Sequence, residues 1–346
     1  MLPYRSMRFF VLCILGTPPL ALLAQESKLA WELGPTGSKA SFRGIHAVDD
    51  EVVWICGSES SVLRSSDGGS SWQDVSPEYQ ELQFRSIHAW SATRACIASA
   101  GTPAVILLTD DGGASWTEVY KHASEKAFFD GLAFWDNDRG VVFSDPIDGT
   151  LLVLETADGG KTWRELQGLP KTREGEAGFA ASDSSMILGS KGRVWIGTGG
   201  GKSNSSRIHF RSGWKSDWTV EEVPMPSRAE QGIFSLALGV NGDRLQMVAV
   251  GGDYRADAVS PQTAAIKTGL KGTWKNPATP PSAFRSAVLY SKKFGWITVG
   301  QAGSDHSSDG QHWNQFSESG FHALSQGETK VFATGSDGRF ALLVGE

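Results

Sequence analysis

Three arginines and one aspartate occupy one position of a repeated, strand-like stretch. Arg43, Arg85 and Arg285 directly precede a small residue in FRGIHAV, FRSIHAW and FRSAVLY, and Asp130 does so in FDGLAFW. Guanidinium groups present planar, paired donors, so converging arginines suit a carboxylate or a phosphate. The alternative is that these arginines pair with nearby aspartates and stabilise the fold, because ion-pair networks also gather charges.

Loops that follow the second strand of the repeats bring further polar residues to the same expected end of the molecule. They contribute Asp145, the glycine run 199–201, and Asp253 with Tyr254. A tyrosine nucleophile near carboxyl groups is one arrangement that hydrolyses glycosidic bonds. The candidate catalytic residues are therefore Tyr254, Asp253, Asp130 and Asp145, and together with the three arginines they are also the candidate binding residues.

Three histidines share a repeat position and raise the question of a metal site. His46, His88 and His322 each lie two residues after a small residue of the repeat. Converging imidazoles could bind zinc or copper. The alternative is that each ring fills space between strands and hydrogen-bonds a backbone carbonyl, since neutral imidazole both donates and accepts. We expect no cofactor, because no phosphate loop or dinucleotide fingerprint is present.

A repeated turn sequence, Ser/Thr-x-Asp-x-Gly-x-x-Trp, indicates how the chain positions these residues. It occurs as SSDGGSSW, TDDGGASW and TADGGKTW, and a shortened copy reads SSDGQHW. Aspartate accepts backbone hydrogen bonds in turns, glycine supplies a positive φ, and a following tryptophan packs over the turn. A structural role is therefore expected for Asp67, Asp111, Asp158 and Asp309, and for Trp72, Trp116, Trp163 and Trp313.

Strand-like segments recur with these turns and predict a β-propeller. Each repeat combines a strand with a small residue, two further strands and the turn. The small residues recur at intervals of 34 to 57 residues, a period typical of propeller blades. The last repeat lacks a fourth strand, which LAWEL near the N-terminus can supply through Trp31. We predict an all-β, seven-bladed β-propeller with four-stranded blades. The N- and C-terminal strands close the last blade, which removes an exposed sheet edge.

The first residues have the pattern of a secretory signal peptide. Arg5 and Arg8 precede an apolar run, 9–23, that is too short to span a bilayer and is broken by two prolines. We therefore predict a signal peptide at 1–24 and a single propeller domain at 25–346. The expected location is periplasmic or secreted, without a transmembrane segment.

The net charge limits the kind of partner to expect, and the cysteines test the alignment of the repeats. The formal net charge of −6 argues against a nucleic-acid partner, which would need a basic surface.

The alignment of the first two repeats places Cys56 and Cys96 on the same side of neighbouring units, so the two side chains should point into different interfaces. Both thiols are therefore expected to be buried and free, and a disulfide would mean that the alignment had slipped by one residue.

The turns resemble the Asp-box, or BNR, repeats of bacterial sialidases and many secreted propellers. The segments FSDPIDG, GTGGG, VGGDY and GFHALS resemble segments of the bacterial branch of the photosystem II stability and assembly factor family. This resemblance implies an exported, non-catalytic propeller that binds a protein or peptide as an assembly scaffold. A small anionic ligand is a second partner that the sequence leaves open. The alternative is a sialidase-like glycoside hydrolase acting on an anionic sugar. Against it, FRGI and FRSI replace the Phe-Arg-Ile-Pro start typical of sialidases.

Overall fold

The computed structural model describes residues 29–79, 81–255 and 262–345. Regular structure in these ranges is almost entirely β-strand, with one turn of 3-10 helix at Ser190–Gly192. The predicted signal peptide at 1–24 lies outside the described residues. Across the ranges that are described, no helix combines the length and the apolar character needed to cross a membrane.

Five antiparallel four-stranded sheets and one eight-stranded sheet make up the described chain. The first three sheets contain β2 (Phe42–Ala47), β3 (Val53–Gly57), β4 (Val62–Ser65) and β5 (Gln73–Asp74); β6 (Phe84–Ala89), β7 (Ala95–Ser99), β8 (Val105–Thr109) and β9 (Thr117–Lys121); and β10 (Phe129–Phe134), β11 (Gly140–Ile147), β12 (Thr150–Thr156) and β13 (Arg164–Glu165).

The eight-stranded sheet contains β14 (Glu176–Ala177), β15 (Met186–Gly189), β16 (Arg193–Gly200), β17 (Ser206–Arg211), β18 (Trp218–Val223), β19 (Gln231–Asn241), β20 (Arg244–Asp253) and β21 (Ala264–Thr268). The last two sheets contain β22 (Ala287–Ser291), β23 (Gly295–Gly300), β24 (Gly303–Ser307) and β25 (Asn314–Ser317); and β26 (Ala323–Gln326), β27 (Val331–Thr334) and β28 (Arg339–Val344) with β1 (Ala30–Pro35).

The two ends of the described chain share the last sheet, as the LAWEL segment predicts. β1 pairs antiparallel with β28, with Trp31 opposite Leu343. The indole Nε1 of Trp31 donates a hydrogen bond to Ser304 Oγ at 2.9 Å, and the ring packs against Phe316 and Phe321. The N-terminal strand therefore covers the edge that β28 would otherwise expose.

Successive sheets pack face to face, and the first sheet packs against the last. Trp54 of the first sheet shares a buried cluster with Phe84 of the second. Phe42 of the first sheet shares another cluster with Phe332 and Phe340 of the last. Because each sheet is covered on both faces, strands such as β3, β7 and β8 are buried at every position. Their sequences are therefore continuously apolar or small, without the alternation of a half-exposed strand.

The repeated aspartates tie their own turns together. In the first turn, Ser65 Oγ donates to Asp67 Oδ1 at 2.8 Å, and the same oxygen accepts the Ser71 backbone N–H at 2.8 Å. The Ser71 hydroxyl donates to Asp67 Oδ2 at 2.6 Å. Corresponding bonds form around Asp111, Asp158 and Asp309. These hydrogen bonds fix the path of each turn.

The tryptophans that end these turns anchor them to the body of the protein. Trp163 and Trp313 each donate an indole hydrogen bond to a glycine carbonyl of their own turn, at 3.0 and 3.1 Å. Trp116 donates instead to Val75 O, and Trp72 packs edge-on against Phe340 of the neighbouring sheet.

The first two sheets have the register that the alignment predicts. Gly44 faces Cys56 across β2 and β3, and Ser86 faces Ala98 across β6 and β7. Cys56 and Cys96 are buried free thiols in two different clusters between sheets. The prediction of two separate thiols is confirmed.

Candidate functional site

The first strands of four repeats share an irregularity that aims one side chain toward the centre of the ring. Register shifts occur at 42/44, 84/86, 129/131 and 233/235. The residues passed over are Arg43, Arg85, Asp130 and Phe234. A bulge bends the strand and re-aims the side chain of the extra residue. All four side chains line one cavity of about 350 Å³, here called the channel-mouth pocket.

Arg285 does not belong to this pocket, so the prediction that it projects beside Arg43 was wrong. It is fully buried, and its Nε lies 2.5 Å from Asp305 Oδ2. Its backbone N–H donates to the preceding sheet at Gly251 O, just as that of Phe42 donates to Gly335 O. Arg285 therefore occupies the repeat position of Phe42, whereas the sequence alignment matches it with Arg43, the next residue along. A one-residue shift reverses which way a side chain faces.

The same shift places two uncharged groups in the pocket. Ser286, which follows Arg285, lines it, and so does His322, which follows Phe321. The Phe321 N–H donates to Gly300 O in the same way as Phe42 does, so His322 corresponds to Arg43. Burial, followed by the nearby arginines, lowers the pKa of His322 to about 3. The imidazole is therefore neutral at pH 7.

The three histidines do not come together. His46 and His88 are neighbours, with ring centroids 4.5 Å apart, and they line a separate cavity that His322 does not reach. Burial lowers the pKa of His46 to about 4. In the part of the chain that is described, no group of three or more His, Cys, Asp or Glu side chains is arranged to hold a metal ion. The three-histidine cluster is therefore not formed, because the last repeat is offset from the first two.

The cationic side of the pocket consists of Arg43 and Arg85. Their NH1 atoms donate to the carbonyls of Ala181 at 3.4 Å and Ala180 at 3.2 Å. Among the described residues, neither guanidinium has a carboxylate oxygen within ion-pair distance. Burial and the neighbouring Arg85 lower the pKa of Arg43 to about 10. Two positive charges thus stand close together without an ion pair among the described residues, and Asp130 acts on Arg85 only at longer range.

The acidic side consists of Asp130 and Asp145. Asp130 is fully buried, and neither of its carboxyl oxygens has a hydrogen-bond partner among the described residues. Asp145 is partly buried and accepts the Gly178 N–H at 2.8 Å. Burial and the Asp145 carboxylate raise the pKa of Asp130 well above its usual range, against the lowering effects of Arg85 and of the backbone N–H groups of Asp145 and Ala180. Burial also raises the pKa of Asp145, although the Gly178 N–H opposes the shift.

Aromatic rings form the remaining wall. Phe179 and Phe234 stack with centroids 3.9 Å apart, and Phe284 packs edge-on against Phe234 at 4.7 Å. Tyr254 extends the cluster and keeps 39 % of its surface exposed. The search for charged residues missed this wall. Phe234 could have been found, because it precedes Ser235 in the repeat as Arg43 precedes Gly44.

The other candidate residues divide between the pocket and its surroundings. Tyr254 lines the pocket, whereas Asp253 does not and accepts hydrogen bonds from the Arg255 N–H and the Gln231 side chain. The neighbouring Glu230 pairs with Arg255. Within the described ranges no hydrogen bond joins the Tyr254 hydroxyl to a carboxyl group. The geometry therefore assigns Asp253 to holding its loop and Tyr254 to the aromatic wall.

The floor of the pocket is the segment 178–185, here called the channel segment. The stretch AGFAAS at 177–182 has the small-residue pattern of the inner strands in the other repeats, but only its first residue belongs to a strand, the two-residue β14, and the next strand begins at Met186. The channel segment instead crosses the centre of the ring. Its Asp183, at φ 63°, accepts the backbone N–H of Ile87 at 3.0 Å and of Leu132 at 2.9 Å.

Serines of the channel segment extend these ties to the opposite sheets. Ser182 Oγ donates to Ser286 O at 2.6 Å, and the Ser184 and Ser235 hydroxyls lie 2.6 Å apart. The segment thus connects sheets on both sides of the ring and separates the channel-mouth pocket from the cavity at His46 and His88.

Together, the closed arrangement of sheets and the Asp-box turns define the class: a β-propeller built from BNR repeats. A model of the family described as photosynthesis system II assembly factor YCF48 matches residues 23–124. Over those residues the chain is similar to the YCF48 family. A search of curated proteins found no match.

Solved structures agree with this fold. YCF48 bound to a D1 peptide is 18 % identical, with a TM-score of 0.62, and the alignment covers 91 % of this chain and 95 % of that one. YCF48 from Cyanidioschyzon merolae is 16 % identical, with a TM-score of 0.57 and coverages of 90 % and 98 %. The WD40 propeller domain of Doa1 is 14 % identical, with a TM-score of 0.57 and coverages of 92 % and 97 %. At these identities the likeness establishes the fold alone.

Proposed function

We propose that this protein is a non-catalytic scaffold that binds a segment of a partner protein at the channel-mouth pocket, through a carboxylate on that segment. The observation that carries the proposal is that Arg43 and Arg85 enter one cavity without an ion-pair partner among the described residues. Guanidinium groups that lack a counterion favour a ligand carboxylate, because charge-assisted hydrogen bonds are among the strongest that proteins form.

The aromatic wall provides the second part of the interaction. Phe179, Phe234 and Phe284 offer rigid apolar surface close to the arginines. Such rings contact an apolar side chain at little cost in conformational entropy. A segment with an apolar residue beside a carboxylate matches both features. The structure of YCF48 with a D1 peptide supports peptide binding by a related propeller, and we extend peptide binding to this chain.

We further propose a ring of seven units in one domain, 25–346. In support, the eight-stranded sheet divides at the β16 and β19 contact into two repeats, which add to the five four-stranded sheets.

A signal peptide at 1–24 would direct the protein to the periplasm or the exterior, and Arg5, Arg8 and the apolar run that follows them support this location.

The proposal is tested by isothermal titration calorimetry with acetyl-Ala-Ala-Ala-Phe as the free acid and as the C-terminal amide. We expect the acid to bind at least about tenfold more tightly than the amide, because only the acid carries the charge that the arginines recognise. Arg43→Gln and Arg85→Gln should each weaken binding of the acid by about tenfold or more. Arg164→Gln is the matched control, because that side chain is 76 % exposed on an outer strand.

Two results would overturn the proposal. One is equal affinity of the acid and the amide for the parent protein. The other is unchanged affinity of both pocket-arginine variants, once circular dichroism has shown that they are folded.

A further inference from the structure

The channel-mouth pocket holds its opposite charges apart. The first two sheets contribute Arg43 and Arg85, and the third contributes Asp130 and Asp145. Arg85 is close enough to lower the pKa of Asp130, yet no ion pair joins the two sides among the described residues. Charges that pair with each other need no ligand. Charges that are held apart in one cavity match a ligand that carries both signs.

Asp130 is the most unusual group on the acidic side. Its carboxyl is fully buried beside the cavity, and among the described residues no donor meets hydrogen-bond geometry at either oxygen, although the backbone N–H groups of Asp145 and Ala180 are near enough to lower its pKa. Buried polar groups in proteins are nearly always hydrogen-bonded, so such a group calls for an explanation. A side chain at position 178 would collide with it, since an ideal Cβ there lies 2.6 Å from Asp130 Oδ2. Gly178 therefore leaves room for this carboxyl.

Asp145 completes the acidic side and is the more accessible of the two. Its Oδ1 accepts the Gly178 N–H, which leaves Oδ2 for another donor. Each carboxyl lies in the field of the other, and this repulsion adds to the effect of burial in raising the pKa of Asp130. A cationic donor placed beside Asp145 would remove the repulsion and satisfy the free oxygen.

We infer that Asp130 and Asp145 form a subsite for an ammonium group, so that the channel-mouth pocket holds a small zwitterion with an apolar body, in chemical terms an apolar α-amino acid. This inference rests on the proposed function, because it takes the same pocket as the binding site and the same arginines as the receptor of the carboxylate. A free amino acid and the partner segment would therefore compete for this pocket.

The three walls of the pocket correspond to the three groups of such a ligand. The arginines receive the carboxylate, the acidic subsite receives the ammonium group, and the stack of Phe179 and Phe234 receives the side chain. The cavity of about 350 Å³ is at the small end of ligand pockets and fits one residue rather than a long segment. Only a free amino acid places all three groups around one carbon atom.

Calorimetry with L-phenylalanine, N-acetyl-L-phenylalanine and L-phenylalanine amide tests the inference. The acetyl compound lacks the ammonium group and the amide lacks the carboxylate. We expect L-phenylalanine to bind the parent protein at least about tenfold more tightly than either derivative. Asp145→Asn keeps the acceptor for the Gly178 N–H but removes the charge. It should reduce the preference for L-phenylalanine over the acetyl compound to about threefold or less.

Asp253→Asn is the control, because Asp253 is acidic and nearby but does not line the pocket. It should leave the preference unchanged. If N-acetyl-L-phenylalanine binds as tightly as L-phenylalanine, the ammonium subsite is refuted while the carboxylate site stands. If the amide binds as tightly as both acids, the carboxylate site and the proposed function fail as well. An unchanged preference in folded Asp145→Asn also refutes the subsite.

Discussion

At the scale of single residues, Arg285 and Asp305 form an ion pair inside the fold. Both side chains are buried, and the guanidinium also donates to Phe284 O and Ser282 Oγ. Arg285→Met should lower the free energy of unfolding by about 3–5 kcal/mol, because it leaves the Asp305 charge buried without a partner. Urea denaturation followed by tryptophan fluorescence measures the loss.

The double variant Arg285→Met with Asp305→Leu separates this effect from packing. Replacing both partners by apolar side chains of similar size removes the orphaned charge, so the double variant should be more stable than Arg285→Met alone. A double variant that is less stable than the single one would show that the pair acts mainly through its packing and its neutral hydrogen bonds.

Asp183, in the channel segment, makes the stability of the folded protein depend on pH. Burial raises the pKa of Asp183 to about 7 from an ordinary 3.8, although backbone N–H donors oppose the shift. The folded protein therefore binds this proton more tightly than the unfolded chain. The stability that the protonated carboxyl contributes is full below pH 3.8 and is lost as the pH rises through 7.

Asp183→Asn removes this titration and keeps the tolerance of a positive φ, but it retains only one of the two acceptor oxygens, a loss that does not depend on pH. Between pH 4 and pH 8, the stability of the parent should fall relative to that of the variant by about 3–4 kcal/mol. Urea denaturation of both proteins at several pH values gives the difference, in which other titrating groups cancel. Parallel pH profiles would contradict the assignment.

The residues of the pocket show how far sequence reasoning reaches at this scale. The sequence brought Arg43, Arg85 and Asp130 to one position because their repeats align without a gap and share a bulge. It failed at Arg285 and His322, where the strand start is offset. The sequence does not reveal such an offset, because FRSAVLY and FRSIHAW begin with the same three residues while the backbone hydrogen bonds align Arg285 with Phe42.

At the scale of elements, each Asp-box turn is stabilised by hydrogen bonds between its own residues. Asp158 accepts hydrogen bonds from the Thr162 N–H, the Thr162 hydroxyl and the Thr156 hydroxyl. Asp158→Ala should lower the free energy of unfolding by about 1–2 kcal/mol through loss of these bonds, and urea denaturation measures it. The neighbouring exposed carboxylate supplies the control, Asp138→Ala, which should change stability little. Equal effects of the two substitutions would argue against stabilisation by these hydrogen bonds.

The turns were readable from the sequence because each is specified by a few consecutive residues with fixed chemistry. The channel segment was not. Its path depends on ties from Asp183 to Ile87 and Leu132, which are distant in sequence, and GFAAS resembles the small-residue strands of the other repeats. Local pattern therefore predicts elements that are held by local bonds and misses those held by tertiary ones.

At the scale of the whole molecule, closure of the ring depends on β1. A chain that starts at Ser38 lacks this strand, so β28 would present unpaired backbone groups and the Trp31 contacts with Ser304, Phe316 and Phe321 would be lost. We expect its melting temperature to fall by about 10 °C relative to a chain that starts at Leu29, because a packed tryptophan and a full strand are removed.

The same truncation should also change association. An uncovered edge strand pairs readily with another copy, so the chain starting at Ser38 should show concentration-dependent dimers or larger species in size-exclusion chromatography with light scattering. The chain starting at Leu29 keeps β1 and should not gain such species. Equal melting temperatures and identical elution of the two chains would mean that packing between sheets, and not pairing of the two chain ends, keeps the ring closed.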